Sequence, residues 1–156
     1  MRVDVLGPDD WRRWRDLRLE ALQDTPIGYG ELYADAVLVT DDEWRTRAAR
    51  PGVRAIAYDG DDPVGMAGGF VGEDGDAVLY GVYVRPAARG RSVLGVLLDA
   101  VAAWAAPVEL VLEVHEDNHR ARRAYEKFGF ALTGDRREGA GIDGRDLLRM
   151  TRVSSG

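Results

Sequence analysis

Between Asp76 and Ala106 the chain reads DAVLYGVYVRPAARGRSVLGVLLDAVAAWAA, a strand-like run that passes through a short Arg/Gly loop directly into an amphipathic helix. Val78, Tyr80, Val82 and Val84 alternate with Leu79, Gly81 and Tyr83, which is the two-residue period of an extended strand. Pro86 ends it. Val93, Leu94, Leu97, Leu98 and Val101 recur at three and four residues as the core stripe of a helix, and Pro107 stops that run. The connection, RPAARGRS, has Gly90 to let the backbone approach something closely and Ser92 in place to cap the helix. The first amides of a helix have no internal acceptor and carry the positive end of its dipole. With Arg89 and Arg91 beside them, they can hold a phosphate.

This loop lacks the spacing of a P-loop and lacks the glycine fingerprint of a dinucleotide site, which argues against an ATPase or a nicotinamide enzyme. A second stretch, LEVHEDNHRARRAYEKFGF from Leu112 to Phe130, narrows the choice. Val108 to Val114 reads as a strand after Pro107, and Asn118 can cap a helix whose Ala121, Ala124, Tyr125 and Phe128 form a stripe. Gly129 is a natural residue to end that helix, and Phe130 resumes an extended run. Together the two stretches resemble the GNAT family of acyl-CoA-dependent N-acetyltransferases. The family's loop motif, [QR]-x-x-G-x-[GA] after a V-x-V-x-P strand end, falls here on Arg89, Gly90, Arg91, Ser92, Val93 and Leu94, with Ser92 in place of a glycine and Leu94 in place of a small residue. If the backbone at Leu94 needs positive φ, the leucine is strained there. The second motif, V-x-x-x-N-x-x-A-x-x-x-Y-x-x-x-G-F, is complete as Val114, Asn118, Ala121, Tyr125, Gly129 and Phe130.

The resemblance implies an α/β (mixed α+β) fold, with a mostly antiparallel central sheet flanked by helices on both faces. It implies transfer of an acetyl group from acetyl-CoA, as co-substrate, to a primary amine by direct attack. The pantetheine arm would run along Val82 and Val84, the pyrophosphate would sit on the amides from Arg89 to Leu94, and Asn118 would hold the cofactor from the neighbouring helix. Tyr125 is implied as proton donor to the departing thiolate, against an aromatic that simply fills the helix stripe. Glu113 resembles a glutamate that some members use, through water, to deprotonate the amine, against a structural ion pair. His115 is a second candidate base. Arg120, Arg122 and Arg123 are read as an exposed basic helix face rather than as ligands of the adenosine 3′-phosphate. The HEDNH cluster is not read as a metal site, because the strand-turn-helix break points its side chains in different directions. Ser92 and Leu94 keep one alternative open, an acyl-CoA-binding GNAT module with little or no turnover.

The remaining sequence fits one domain over 1–156, since 156 residues with 46% hydrophobic content supply one core. A net charge of −6 advertises neither a nucleic acid nor an anionic membrane as partner; the partner the resemblance implies is a small-molecule or peptide amine, bound by a monomer or homodimer. Without cysteine there is no disulfide, no thiolate metal site and no cysteine-acyl intermediate. No apolar run approaches the ~20 residues of a membrane helix, so a cytoplasmic location is the expectation.

In chain order, Arg2 to Leu6 reads as a short strand and Pro8-Asp9-Asp10 as the start of a helix. On that helix Arg12, Arg13, Arg15 and Arg18 interleave with Asp16 and Glu20 as a solvated face. RLEALQDTPIGYG resembles the GNAT segment that lies over the acceptor site, making Tyr29, Glu31 and Tyr33 candidates to line it, against a loop aromatic packed on the core. Thr40 and Glu43 have capping-box spacing for a second helix ending at Pro51-Gly52. Val53–Tyr58 and Pro63–Val71 read as a hairpin in which Gly65, Gly68 and Gly69 call for close packing. Phe130–Thr133 and Asp146–Arg152 are the last strands, joined by an exposed loop long enough to reach the acceptor entrance.

Overall fold

The computed structural model describes residues 1–152. Its elements are β1 (Arg2–Val5), α1 (Trp11–Asp24), α2 (Tyr33–Ala36), α3 (Asp41–Ala49), β2 (Val53–Asp59), β3 (Asp62–Val71), β4 (Ala77–Val84), α4 (Val93–Ala105), β5 (Leu110–His115), α5 (His119–Lys127), β6 (Phe130–Arg137) and β7 (Leu147–Arg152). The strands form one sheet in the order β1-β2-β3-β4-β5-β7-β6, and every neighbouring pair is antiparallel except β4 and β5. The period-2 and period-3.6 stripes explain which faces are buried. Trp11, Trp14, Leu17 and Ala21 of α1, with Trp44 and Ala48 of α3, pack on Ile56, Tyr58, Met66 and Tyr83 from one side of the sheet. Val93, Leu97, Leu98 and Val101 of α4 pack on Ala55, Ala67, Leu79 and Leu110 from the other, with Tyr125 of α5 and Phe128 just after it at the edge of that core. The mostly antiparallel mixed sheet with helices on both faces is therefore the architecture observed.

The glycines of β3 are occupied by their neighbours. A Cβ on Gly68 would stand 2.6 Å from the Tyr80 ring, and one on Gly69 would stand 2.8 Å from Trp104 and 2.9 Å from Val101. Only a residue without a side chain leaves these neighbours room so close to the strand. Two elements differ from expectation. The four-residue α2 is too short to show a period, and β6 continues past Thr133 to Arg137. The charged stretch there is extended because it pairs with β7 across an irregularity between Leu132 and Arg136, where Gly134 takes φ 90°. Among the described residues no helix is long and apolar enough to cross a membrane.

The centre of the sheet is where the regular pattern breaks. β4 and β5 pair only at Ala77↔Leu110 and Val78↔Val111 and then part. On the opposite edge of β4, Tyr83 faces Met66 and Tyr80 faces Gly68, so Gly81 and Val82 together oppose Ala67. Gly81 has φ 62°. This is a bulge with glycine in the left-handed region, and such a bulge bends and twists the strand that carries it. A gap opens in the middle of the sheet, and α4 and α5 flank it.

Candidate active site

A cavity of about 470 Å³ fills the space between the parted ends of β4 and β5 and the start of α4 and α5. Val82, Val84, Arg89, Gly90, Ser92, Val93, Leu94, Glu113, Asn118 and Tyr125 all line it. Arg91 does not, because its guanidinium turns outward to Asp59 at 3.1 Å. The tie is solvent-exposed and holds the loop against the β2–β3 turn.

The loop turns into α4 through two left-handed residues, Gly90 at φ 77° and Ser92 at φ 65°. Ser92 is the only non-glycine residue with positive φ among the described residues, and its side chain caps nothing. Two expectations are thereby corrected. Ser92 contributes no capping hydroxyl, and the strain expected at Leu94 falls two residues earlier. Leu94 lies within α4 and packs on the core, so its departure from the family pattern adds bulk to the cavity wall rather than backbone strain.

Arg89 faces the cavity with its charge already engaged. Its Nη2 donates to Asp24 Oδ2 at 2.7 Å and its Nε to the Val84 carbonyl at 3.0 Å, tying the end of α1 to the end of β4. Burial alone would raise the Asp24 carboxyl, but the Thr25 hydroxyl and the Arg89 guanidinium outweigh it and hold the group below the usual carboxylate range. The Val82 carbonyl has a partner as well, accepting from the Tyr29 hydroxyl at 2.6 Å. A ligand amide that used the Val82 or Val84 carbonyl would share it with a side chain of the protein itself, on the second lone pair. The remaining cations on the wall are Arg120, Arg123 and Lys127 of α5, with Arg120 donating to Thr25 Oγ1 at 3.2 Å. The exposed basic face expected of this helix thus turns in part toward the cavity, while Arg122 does not line it. Lys127 escaped the sequence reading, although its spacing from Arg120 and Arg123 puts all three on one face.

Asn118 caps α5, its Oδ1 accepting from the Ala121 amide at 3.3 Å, and lines the cavity with the same side chain. The ring of Tyr125 meets Phe130 edge-on, with centroids 5.7 Å apart. Burial drives its phenol well above the ordinary value near 10, and the neighbouring Tyr29 adds to the shift, so the hydroxyl keeps its proton through the neutral range.

A second cavity of about 220 Å³ adjoins the first and shares Gly28, Tyr29 and Glu113 with it. Phe70, Tyr80 and Ile142 supply apolar wall, the last from the loop after β6. Tyr29 both packs on the core and lines this junction, so the two readings of it coexist. Glu31 and Tyr33 line neither cavity, and Glu31 is bound by Arg47 at 2.9 and 3.2 Å. Glu113 reaches the junction while ion-paired to Arg137 on β6.

His115 faces the second cavity but is not free to act as a base. Its Nδ1 accepts from the Asp117 amide at 3.0 Å, which assigns the proton to Nε2, where it is donated to Asp143 Oδ1 at 2.8 Å. Both nitrogens are engaged, Nε2 in holding the loop that carries Ile142 and Nδ1 in closing the turn before α5. Nothing in the residue pattern announced this, because Asp143 lies 28 residues away and only the sheet brings it back.

Comparison with known proteins agrees with this geometry. A model of the acetyltransferase (GNAT) family matches residues 11–130. No curated protein sequence matches the chain. Among solved structures, a GCN5-related N-acetyltransferase from Kribbella flavida superposes with TM-score 0.75 at 21% identity, covering 98% of this chain and 97% of its own. YncA of Salmonella typhimurium, solved with its cofactor acetyl-CoA, gives 0.74 at 18% identity over 100% and 95%. A ribosomal-protein-alanine N-acetyltransferase from Brucella melitensis gives 0.71 at 21% over 99% and 100%.

Proposed function

Because the chain belongs to the acetyltransferase (GNAT) family, we propose that it transfers an acetyl group from acetyl-CoA to a primary amine by direct attack on the thioester. The observation that carries this reading is the junction of the two cavities at Gly28, Tyr29 and Glu113. An activated acyl group entering by one cavity and an amine entering by the other come within reach of each other only at such a place. The residues present suit the cofactor. The unbonded amides at the start of α4 are donors for a pyrophosphate, and Arg120, Arg123 and Lys127 supply the cationic wall that a phosphorylated ligand needs.

Acetyl-CoA supplies the activated acyl group, and this chain's residues do the rest. The Tyr125 hydroxyl, kept protonated by burial, is the group on the wall suited to deliver a proton to a departing thiolate. Glu113, steadied by Arg137, stands at the junction to accept the proton of the amine through water. The absence of cysteine favours direct attack over a thioester intermediate on the protein. The acceptor is a small-molecule or peptide amine, and the expected setting is the cytoplasm.

One observation favours the second reading, a binding module with little turnover. Arg89 and Arg91 are both committed to carboxylates, leaving the phosphates to backbone amides and to α5. Mixing the protein with acetyl-CoA and a broad amine panel, with CoA release and product mass as readouts, tests both. Amine-dependent CoA release supports the enzyme. Thermal stabilisation by acetyl-CoA with no release under any amine supports the module, and neither effect refutes both.

A further inference from the structure

The second cavity contains a guanidinium that the rest of the fold holds only loosely. Arg18 of α1 was expected on a solvated face, yet its side chain is only 17% exposed and lines this cavity, stacked over the Tyr29 ring at 5.0 Å from its centroid. Its one carboxylate contact among the described residues is to Glu31, at 3.5 Å. Other half-buried arginines here are held much closer, as Arg85 is to Glu20 at 2.8 Å and Arg13 to Asp4 at 2.6 Å. Glu31 is meanwhile neutralised by its two bonds to Arg47. Arg18 is therefore held only loosely, through Nε and Nη2 to Glu31, and has donors to spare for the cavity it lines. A planar guanidinium fork pairs with a carboxylate through two parallel hydrogen bonds.

The other walls define what separates that carboxylate from the reacting amine. Glu113 marks the junction with the first cavity, and Phe70, Tyr80 and Ile142 provide apolar surface between. Phe70 and Tyr80 meet edge-on with centroids 5.4 Å apart, giving the wall a fixed shape. At about 220 Å³ the space is smaller than the ~300–1,000 Å³ of pockets for drug-sized ligands. It suits one amino-acid-sized molecule better than a chain segment.

We propose that the acceptor is a free amino acid with an apolar side chain, its carboxylate on Arg18, its side chain against Phe70, Tyr80 and Ile142, and its amine toward Glu113. This rests on the acetyl-transfer reading above and names the substrate of the same site. The amine nitrogen forms a bond to the acyl carbon as the carbon–sulfur bond breaks. The ammonium first loses one proton through water at Glu113 to solvent, so that the neutral nitrogen attacks; its surplus proton then leaves by the same route while the thiolate takes one from Tyr125, which is reprotonated from solvent, so the products are an N-acetylamino acid, CoA and one released proton. Acetylation removes the positive charge that faced Glu113 while leaving the carboxylate on Arg18, which weakens the product's hold at one end.

The test compares phenylalanine, leucine and methionine with their carboxamides and their decarboxylated amines, reading kcat/KM from CoA release. The free acids are expected to be favoured by about 10- to 100-fold, the range of charge-assisted hydrogen bonds made or lost. Arg18→Gln should abolish that preference by raising KM for the acids, so that acids and carboxamides converge, and Arg18→Lys should restore part of it. Equal rates, or a preference for the carboxamides, would overturn the inference while leaving acetyl transfer intact. If no amine is acetylated, the acetyl-transfer reading fails, and calorimetric titration of phenylalanine and phenylalaninamide into CoA-saturated protein still decides the inference. Acid-selective binding that Arg18→Gln removes supports it, and no selectivity overturns it. Should Arg18→Gln not fold, the acid-to-carboxamide ratio of the wild-type protein decides alone.

Discussion

Ser92→Gly should stabilise the protein, and the size of the effect follows from one dihedral angle. Ser92 sits at φ 65° at the entrance to α4, where an L-residue costs roughly 1–2 kcal/mol relative to the right-handed region. Its side chain caps nothing and is exposed, so replacing it removes no hydrogen bond and little buried surface. Glycine relieves the strain but loses about 0.4–1 kcal/mol through the greater freedom of the unfolded chain. The difference is a net stabilisation of roughly 0.5–1 kcal/mol, equivalent to about 1–4 °C in Tm for a chain of this length. Ser92→Val is the opposing control, because a β-branched residue is least tolerant of positive φ, and it should destabilise by more than ~1 kcal/mol. Urea unfolding of the three proteins with matched m-values measures both changes. A lower midpoint for Ser92→Gly, or an unchanged one for Ser92→Val, would refute the claim that the loop stores strain at this residue.

Tyr125→Phe keeps the ring that meets Phe130, so stability and acetyl-CoA affinity should hold while kcat falls by roughly 10²–10⁴-fold, and normal turnover would reassign Tyr125 to packing. Gly68→Val puts carbon within 2.6 Å of the Tyr80 ring and should cost ~1–3 kcal/mol in stability; by moving Tyr80 in the second cavity it should raise the acceptor KM more than the acetyl-CoA Kd, which steady-state kinetics and calorimetry separate. The hydrogen bond from His115 holds the Asp143 carboxyl below its ordinary value near 3.8, so its stabilisation is complete above that pH and is lost as pH falls through the lower folded value. The stability gap between wild type and Asp143→Asn should therefore persist down to about pH 3.8 and close below it, and chemical denaturation showing closure well above that value would contradict the assignment.

Local periodicity carried most of the fold. The alternation from Val78 to Val84, the α4 stripe and the spacing from Asn118 to Gly129 are properties of neighbouring residues, and burial of apolar stripes makes such patterns legible without any contact being known. The residues proposed for the cofactor site were legible for the same reason, since a strand end, a helix start and a helix cap are local features. What tertiary structure alone decided is who meets whom. The bulge at Gly81 that parts β4 from β5 depends on the register with β3, and one glycine in a strand does not declare it. Asp24, Asp59 and Asp143 are ordinary surface-type carboxylates in sequence, yet the first two take up the charges of Arg89 and Arg91 and the third accepts a hydrogen bond from His115. Arg18 looked solvated because acidic neighbours flank it along the helix. Its surroundings are instead Tyr29 and the cavity wall, since a helix position is wet or enclosed according to what packs over it, and that is set by residues far away in the chain.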